Sequence, residues 1–152
     1  MKLSKNFSLS EFTKSATAAA RGIDNTPTPE VIKALQALVE NVLQPIRDRF
    51  GSVTISSGYR SPQLNTAIGG SKTSDHCFGY AADFEVAGTD NQELAVWIKD
   101  NLNYKQLILE FYDDGITNSG WVHCSFVEND NKQQRLTAFK DGKKTKYKAA
   151  SW

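Results

Sequence analysis

One change of period constrains the fold of this chain more than any other feature. From Val31 to Phe50 the apolar residues recur at helical spacing. Val31, Leu35, Leu38, Val42 and Ile46 form a stripe that Ile32, Val39, Leu43 and Phe50 widen. Thr28 as N-cap, Pro29 at the first helical position and Glu30 in the first turn mark where this helix starts. Pro45 is expected to kink the helix or end its regular part. Beyond Gly51 the spacing becomes that of strands: Val53-Thr54-Ile55, Ala81 to Val86, Gln106 to Tyr112 and Trp121 to Val127. Arg135 to Lys148 alternates weakly around Asp141-Gly142, a hairpin signal. Two more helical segments interrupt the strands, one opened by Ser61-Pro62 and stopped at Gly69-Gly70, the other from Leu94 to Leu102. Upstream, Ser8-Leu9-Ser10-Glu11 is a capping-box pattern, which predicts a short helix running towards Ala16 to Ala20 and ended by Gly22. Helices first and strands later predict an α+β fold, an antiparallel sheet with helices packed on it.

No repeat or low-complexity linker divides the chain, so residues 1–152 read as a single domain. The 39% of hydrophobic residues and 23% of charged ones exclude a disordered or collagen-like chain. No apolar run approaches a membrane span, so no stable membrane insertion is expected. Lys and Arg number 18 against 17 for Asp and Glu, which gives no overall electrostatic case for nucleic acid. The residues from Met1 to Phe7 lack the apolar stretch of a signal peptide. The chain is therefore expected in the cytoplasm of the cell that makes it until something releases it, and as a monomer.

The sequence holds only two histidines, His76 and His123. The first lies on a loop, Ser74-Asp75-His76-Cys77-Phe78-Gly79, with Asp83 in the strand that follows. The second begins another strand in Trp121-Val122-His123. Two imidazoles and a carboxylate make a three-ligand set that suits catalytic zinc, which keeps one further position open. A half-buried packing role is the alternative for each histidine. Cys77 and Cys124 directly follow the two histidines and are expected to be buried free thiols, a disulfide behind the site being the lesser reading. Phe50, Trp97 and Phe126 are expected in the core, whereas Tyr59, Tyr80 and Trp121 sit where they could line a cleft.

Four motifs in order carry a family resemblance. They are Ser57-Gly58-Tyr59-Arg60-Ser61-Pro62-x-Leu64-Asn65, then Gly69-Gly70, then Ser74-x-His76-x-x-Gly79-x-Ala81-x-Asp83, then Trp121-Val122-His123. Together they resemble the zinc peptidases of the D-alanyl-D-alanine carboxypeptidase family, nearest to the phage-associated cell-wall peptidases of the endolysin branch. Phe7-Ser8-Leu9-Ser10-Glu11-Phe12 and Gly22-Ile23-Asp24-Asn25-Thr26-Pro27 add to the likeness, which spans residues 7 to 127. The resemblance implies a fold shared with the Hedgehog signalling domain and a zinc ion held by His76, Asp83 and His123. It also implies that Arg60 binds substrate, and a guanidinium there could hold a carboxylate or steady an oxyanion. Ser74 is expected to order the loop of His76 or touch substrate, and Tyr59 to contact substrate beside it.

Relatives commonly carry an acid or histidine shortly before the last zinc ligand, where this chain has Gly120. Glu110 is then the provisional general base, since strand alternation puts it on the same face as Ile108, and Gln106-Leu107-Ile108-x-Glu110 resembles the phage-associated branch. Asp113 and Asp114 read as turn residues. The expected function is a zinc peptidase that cuts the peptide part of peptidoglycan, as a carboxypeptidase or an endopeptidase. The alternative is an inactive zinc-stabilised cell-wall-binding or virion module. After residue 130 the chain turns basic, with Lys132, Arg135, Lys140, Lys143, Lys144, Lys146 and Lys148, which reads as a solvated face.

Overall fold

A computed structural model describes residues 1–152. Thr28 caps the long helix as expected: its hydroxyl accepts from the Val31 N–H at 3.2 Å, and α3 runs over Pro29–Leu38. A π turn over Val39–Leu43 follows, and α4 carries on over Gln44–Phe50. Pro45 is the cause. It has no N–H for the carbonyl four residues back, and its ring crowds that carbonyl. The wider turn just before it absorbs the mismatch, with the Gln44 N–H reaching back five residues to the Val39 carbonyl. The rod therefore continues through Pro45 and buries Leu35, Leu38, Val39, Val42, Leu43 and Ile46 completely.

The N-terminal helix is two helices rather than the one expected. The Glu11 carboxylate accepts from the Ser8 N–H at 2.7 Å, half of a capping box, yet α1 covers only Ser10–Thr13. Lys14 is extended, and Ser15 caps a separate α2, Ala16–Arg21, by accepting from the Ala18 N–H. A serine in that position satisfies an orphan N–H of a new helix, so the chain restarts there.

Six strands make one sheet: β1 (Val53–Ser57), β2 (Ala81–Val86), β3 (Gln106–Glu110), β4 (Trp121–Ser125), β5 (Gln134–Asp141) and β6 (Lys144–Ala149). Between them lie α5 (Pro62–Ala67), capped by Ser61, and α6 (Asn91–Asn101), capped by Asp90. The sheet order is β1-β2-β4-β3-β5-β6. All neighbours are antiparallel except β3 and β5, which run parallel, so the expected antiparallel sheet holds with one exception. After β4 the chain crosses back to the start of β3. There Gln133 clamps the crossover: its N–H donates to the Tyr104 carbonyl at 3.0 Å, and its Oε1 accepts from the Tyr104 N–H at 2.6 Å.

Alternation divides the sheet into two faces. Ala82, Phe84, Leu107, Leu109, Val122 and Cys124 pack into one core with Leu35, Leu38, Val42, Ile46, Leu94 and Ile98 of the helices. The intervening residues, Asp83, Ile108, Glu110, Trp121 and His123, point to the opposite face. Both cysteines are free thiols; burial pushes the ionisation of Cys124 up, and Cys77 is shifted the same way by its partial burial. No helix is long and apolar enough to cross a membrane.

Candidate metal and catalytic site

The strand register builds the site. Asp83 on β2 pairs with His123 on β4, and His123 pairs with Ile108 on β3. One step along, Trp121 pairs with Glu110. His76 arrives from outside the sheet, on a 3-10 turn over Asp75–Phe78 that folds over the strands. Ser74 starts that turn by accepting from the His76 N–H at 3.2 Å. Gly79 ends it at φ 78°, where a Cβ would run into the Val31 carbonyl oxygen of α3. Only glycine lets the loop turn so close to the helix.

His76, Asp83 and His123 each offer a ligand atom, all within 4.8 Å of one another. Asp83 Oδ1 lies 2.9 Å from His123 Nδ1 and 3.5 Å from His76 Nε2. The other nitrogen of His76, Nδ1, is 2.7 Å from the Gly58 carbonyl. A carbonyl can only accept, so Nδ1 carries the proton and Nε2 presents its lone pair to the centre. That outer hydrogen bond is what orients an imidazole for a metal. Burial raises the Asp83 carboxyl, but the hydrogen bond from His123 and the nearby His76 ring outweigh it and hold the group well below the usual carboxylate range. Burial works against the imidazolium of His123, and the bond to Asp83 and its charge override it upward. An ionised oxygen between two nitrogens, with the backing bond on the far side of His76, is a donor set that fits zinc.

A cleft of about 690 Å³ opens over these three residues, within the range of small-molecule and peptide sites. Arg60, Ser74, Glu110 and Trp121 line it too. Arg60 donates from Nη2 to Ser74 Oγ at 3.3 Å, while its buried Nε–H has no partner. Ser74 thus orders the His76 loop and holds Arg60 at once. Trp121 Nε1–H donates to Glu110 Oε2 at 2.8 Å, which aims the carboxylate and leaves Oε1 free. Burial, then the charge of Asp83, push the Glu110 carboxyl up against the pull of His123, the Trp121 bond and Arg60.

Tyr59, expected to contact substrate, lies outside this cleft. It is 6% exposed and belongs to the core, its backbone N–H held by the Phe12 carbonyl at 2.7 Å. An aromatic ring next to a strand end gains more from that core than from a polar cleft. Gly120 has a backbone reason for lacking an acid. At φ 64° it passes so close to the Glu110 carbonyl oxygen that any Cβ would overlap it. The carboxylate in this cleft comes instead from the neighbouring strand. Asp113 and Asp114 are exposed in the turn that joins β3 to β4, where the Asp113 N–H donates to Ser119 Oγ at 2.7 Å.

Several cleft residues escaped the sequence reading. Lys105 pairs with Asp75 at 2.8 Å beside the His76 turn, and Gln106 Nε2 donates to Gln134 Oε1 at 2.8 Å. Lys132, Leu136 and Tyr147 reach the same cleft from the C-terminal segment. The acid directly before His76 is the one signal that could have pointed to a lysine partner. The C-terminal residues carry no such signal, because only the β3–β5 pairing brings them there. In comparison with known families, residues 5–125 match the family model described as Peptidase M15. A search of curated proteins returned no match.

Proposed function

Because the chain belongs to the peptidase M15 family, we propose that it is a zinc-dependent peptidase acting on the stem peptides of peptidoglycan. The observation that carries the reading is the meeting of the only two histidines with Asp83 in a cleft that Glu110 and Arg60 also line. His76, Asp83 and His123 would hold the ion. When bound, zinc supplies Lewis acidity, polarising a carbonyl and making water more acidic.

The chain's own groups account for the rest. Arg60 binds an oxygen of the peptide through its free N–H groups and fixes the register of the chain in the cleft. Glu110 Oε1 takes a proton from the attacking water and delivers it to the leaving amine, while Trp121 holds Oε2 in place. Cleavage at the wall follows release from the cell that makes the protein, as in the phage-associated branch it resembles. The rival reading, an inactive zinc-stabilised module, rests on the missing acid before His123. Glu110 in the same cleft favours the enzyme.

Arg60→Lys tests the substrate role in soluble muropeptides. Lysine keeps the charge but not the planar fork or the bond to Ser74. Zinc content and fold are expected to stay, while kcat/KM falls about 10–100-fold, the scale of a lost hydrogen bond to a charged group. Hydrolysis at the wild-type rate would make Arg60 a structural tie to Ser74 and nothing more.

A further inference from the structure

The last two strands stand apart from the family match. It ends at residue 125, and β5 begins at Gln134. Yet this hairpin borders the metal and catalytic cleft, with Gln134, Leu136 and Tyr147 on its lining. Register explains how. Glu110 on β3 pairs with Ala138 on β5, and Ala138 pairs with Tyr147 on β6. Trp121, Glu110, Ala138 and Tyr147 therefore form one row across four strands and share a face. Two strand spacings, about 10 Å, separate the Glu110 and Tyr147 backbones, and only the Ala138 methyl stands between their side chains.

Tyr147 has no structural task that explains it. Every residue of β6 is exposed, and Tyr147 is 54% exposed. Its ring stacks on no other aromatic ring, and its hydroxyl bonds to nothing in the protein. An exposed aromatic with a free hydroxyl at the edge of a cleft is a contact group looking for a partner. Burial, then the carboxylates of Glu110 and Asp83, push its ionisation up, so the phenol stays a donor at neutral pH.

Resting on the peptidase reading above, we infer that the β5–β6 hairpin is a substrate-binding wall of the cleft and that Tyr147 is its specificity-determining contact, donating a hydrogen bond to an acceptor oxygen of the bound peptide. Arg60 and Tyr147 then grip the peptide from opposite sides of the cleft, one beside β1 and β2 and the other on β6. The hairpin adds this second grip in a segment the family match does not cover.

Two measurements on the same muropeptides test it: steady-state hydrolysis by the zinc-loaded protein, and calorimetric titration into protein carrying Glu110→Gln, which reports binding without turnover. Tyr147→Phe is expected to raise KM and the dissociation constant together by about 3–10-fold, the range of one neutral hydrogen bond, with kcat almost unchanged. Tyr147→Ala should cost at least as much. Thermal stability should hold in both, and Lys148→Ala, next to Tyr147 but on the other face, should leave KM alone. Wild-type KM and affinity in both tyrosine variants would overturn the inference while leaving the peptidase reading intact. A wild type that neither binds nor cuts muropeptides would overturn both.

Discussion

His123→Ala is expected to remove zinc and hydrolysis together. Loss of an outer hydrogen-bond partner already costs a metal site about 10–100-fold in affinity, and loss of a ligand costs more. The variant should therefore purify with almost no zinc, and the wild type with one ion per chain. The same substitution takes away the 2.9 Å partner of a largely buried carboxylate, Asp83, so reduced stability would confuse the result. His123→Asn separates the two effects. Its amide can still donate to Asp83 but is a poor zinc ligand, so zinc should be lost while the melting temperature stays closer to wild type. His76→Ala should behave like His123→Ala. Stoichiometric zinc in both alanine variants would mean that the ion is held elsewhere.

Glu110→Gln should have the largest effect on turnover of any change that spares the metal. Glutamine keeps the size of the side chain and an oxygen for the Trp121 N–H, so zinc content and melting temperature should barely move. It cannot accept the proton. Turnover is then expected to fall about 10²–10⁴-fold, the usual worth of general acid–base catalysis, with binding less affected. Asp113→Asn and Asp114→Asn, in the exposed turn, should cut as the wild type does. Full activity in Glu110→Gln with collapse in one of the aspartates would move the base into that turn.

Local rules make much of this fold legible in the sequence. The Thr28 cap, the stripe from Val31 to Ile46, the Ser61 cap and the Asp141-Gly142 turn are each decided within a few residues. Both histidines and Asp83 stand out by type and by motif, and the β2–β4 register then brings Asp83 and His123 side by side. What escaped depends on partners distant in sequence. The parallel pairing of β3 with β5 leaves no mark on either strand, so the hairpin from Arg135 to Lys148, with its basic residues, reads as a solvated face rather than a cleft wall. Tyr59 follows a strand end, where alternation no longer says which way a ring points, and the core took it. The interruption of the regular helix expected at Pro45 takes the form of a π turn over Val39–Leu43, just before the proline, because the wider turn accommodates the missing N–H while the residues on both sides stay buried. Gly120 showed that an acid was missing but not why; the answer lies in how closely the backbone passes Glu110.

The central claim is most directly tested by mass spectrometry of purified muropeptides after incubation with the zinc-loaded protein, beside a chelator-treated sample of the same preparation. The account predicts new fragments whose masses sum to the parent plus one water, formed by the loaded protein and not by the stripped one. An unchanged muropeptide profile from a protein that carries its full complement of zinc would contradict it.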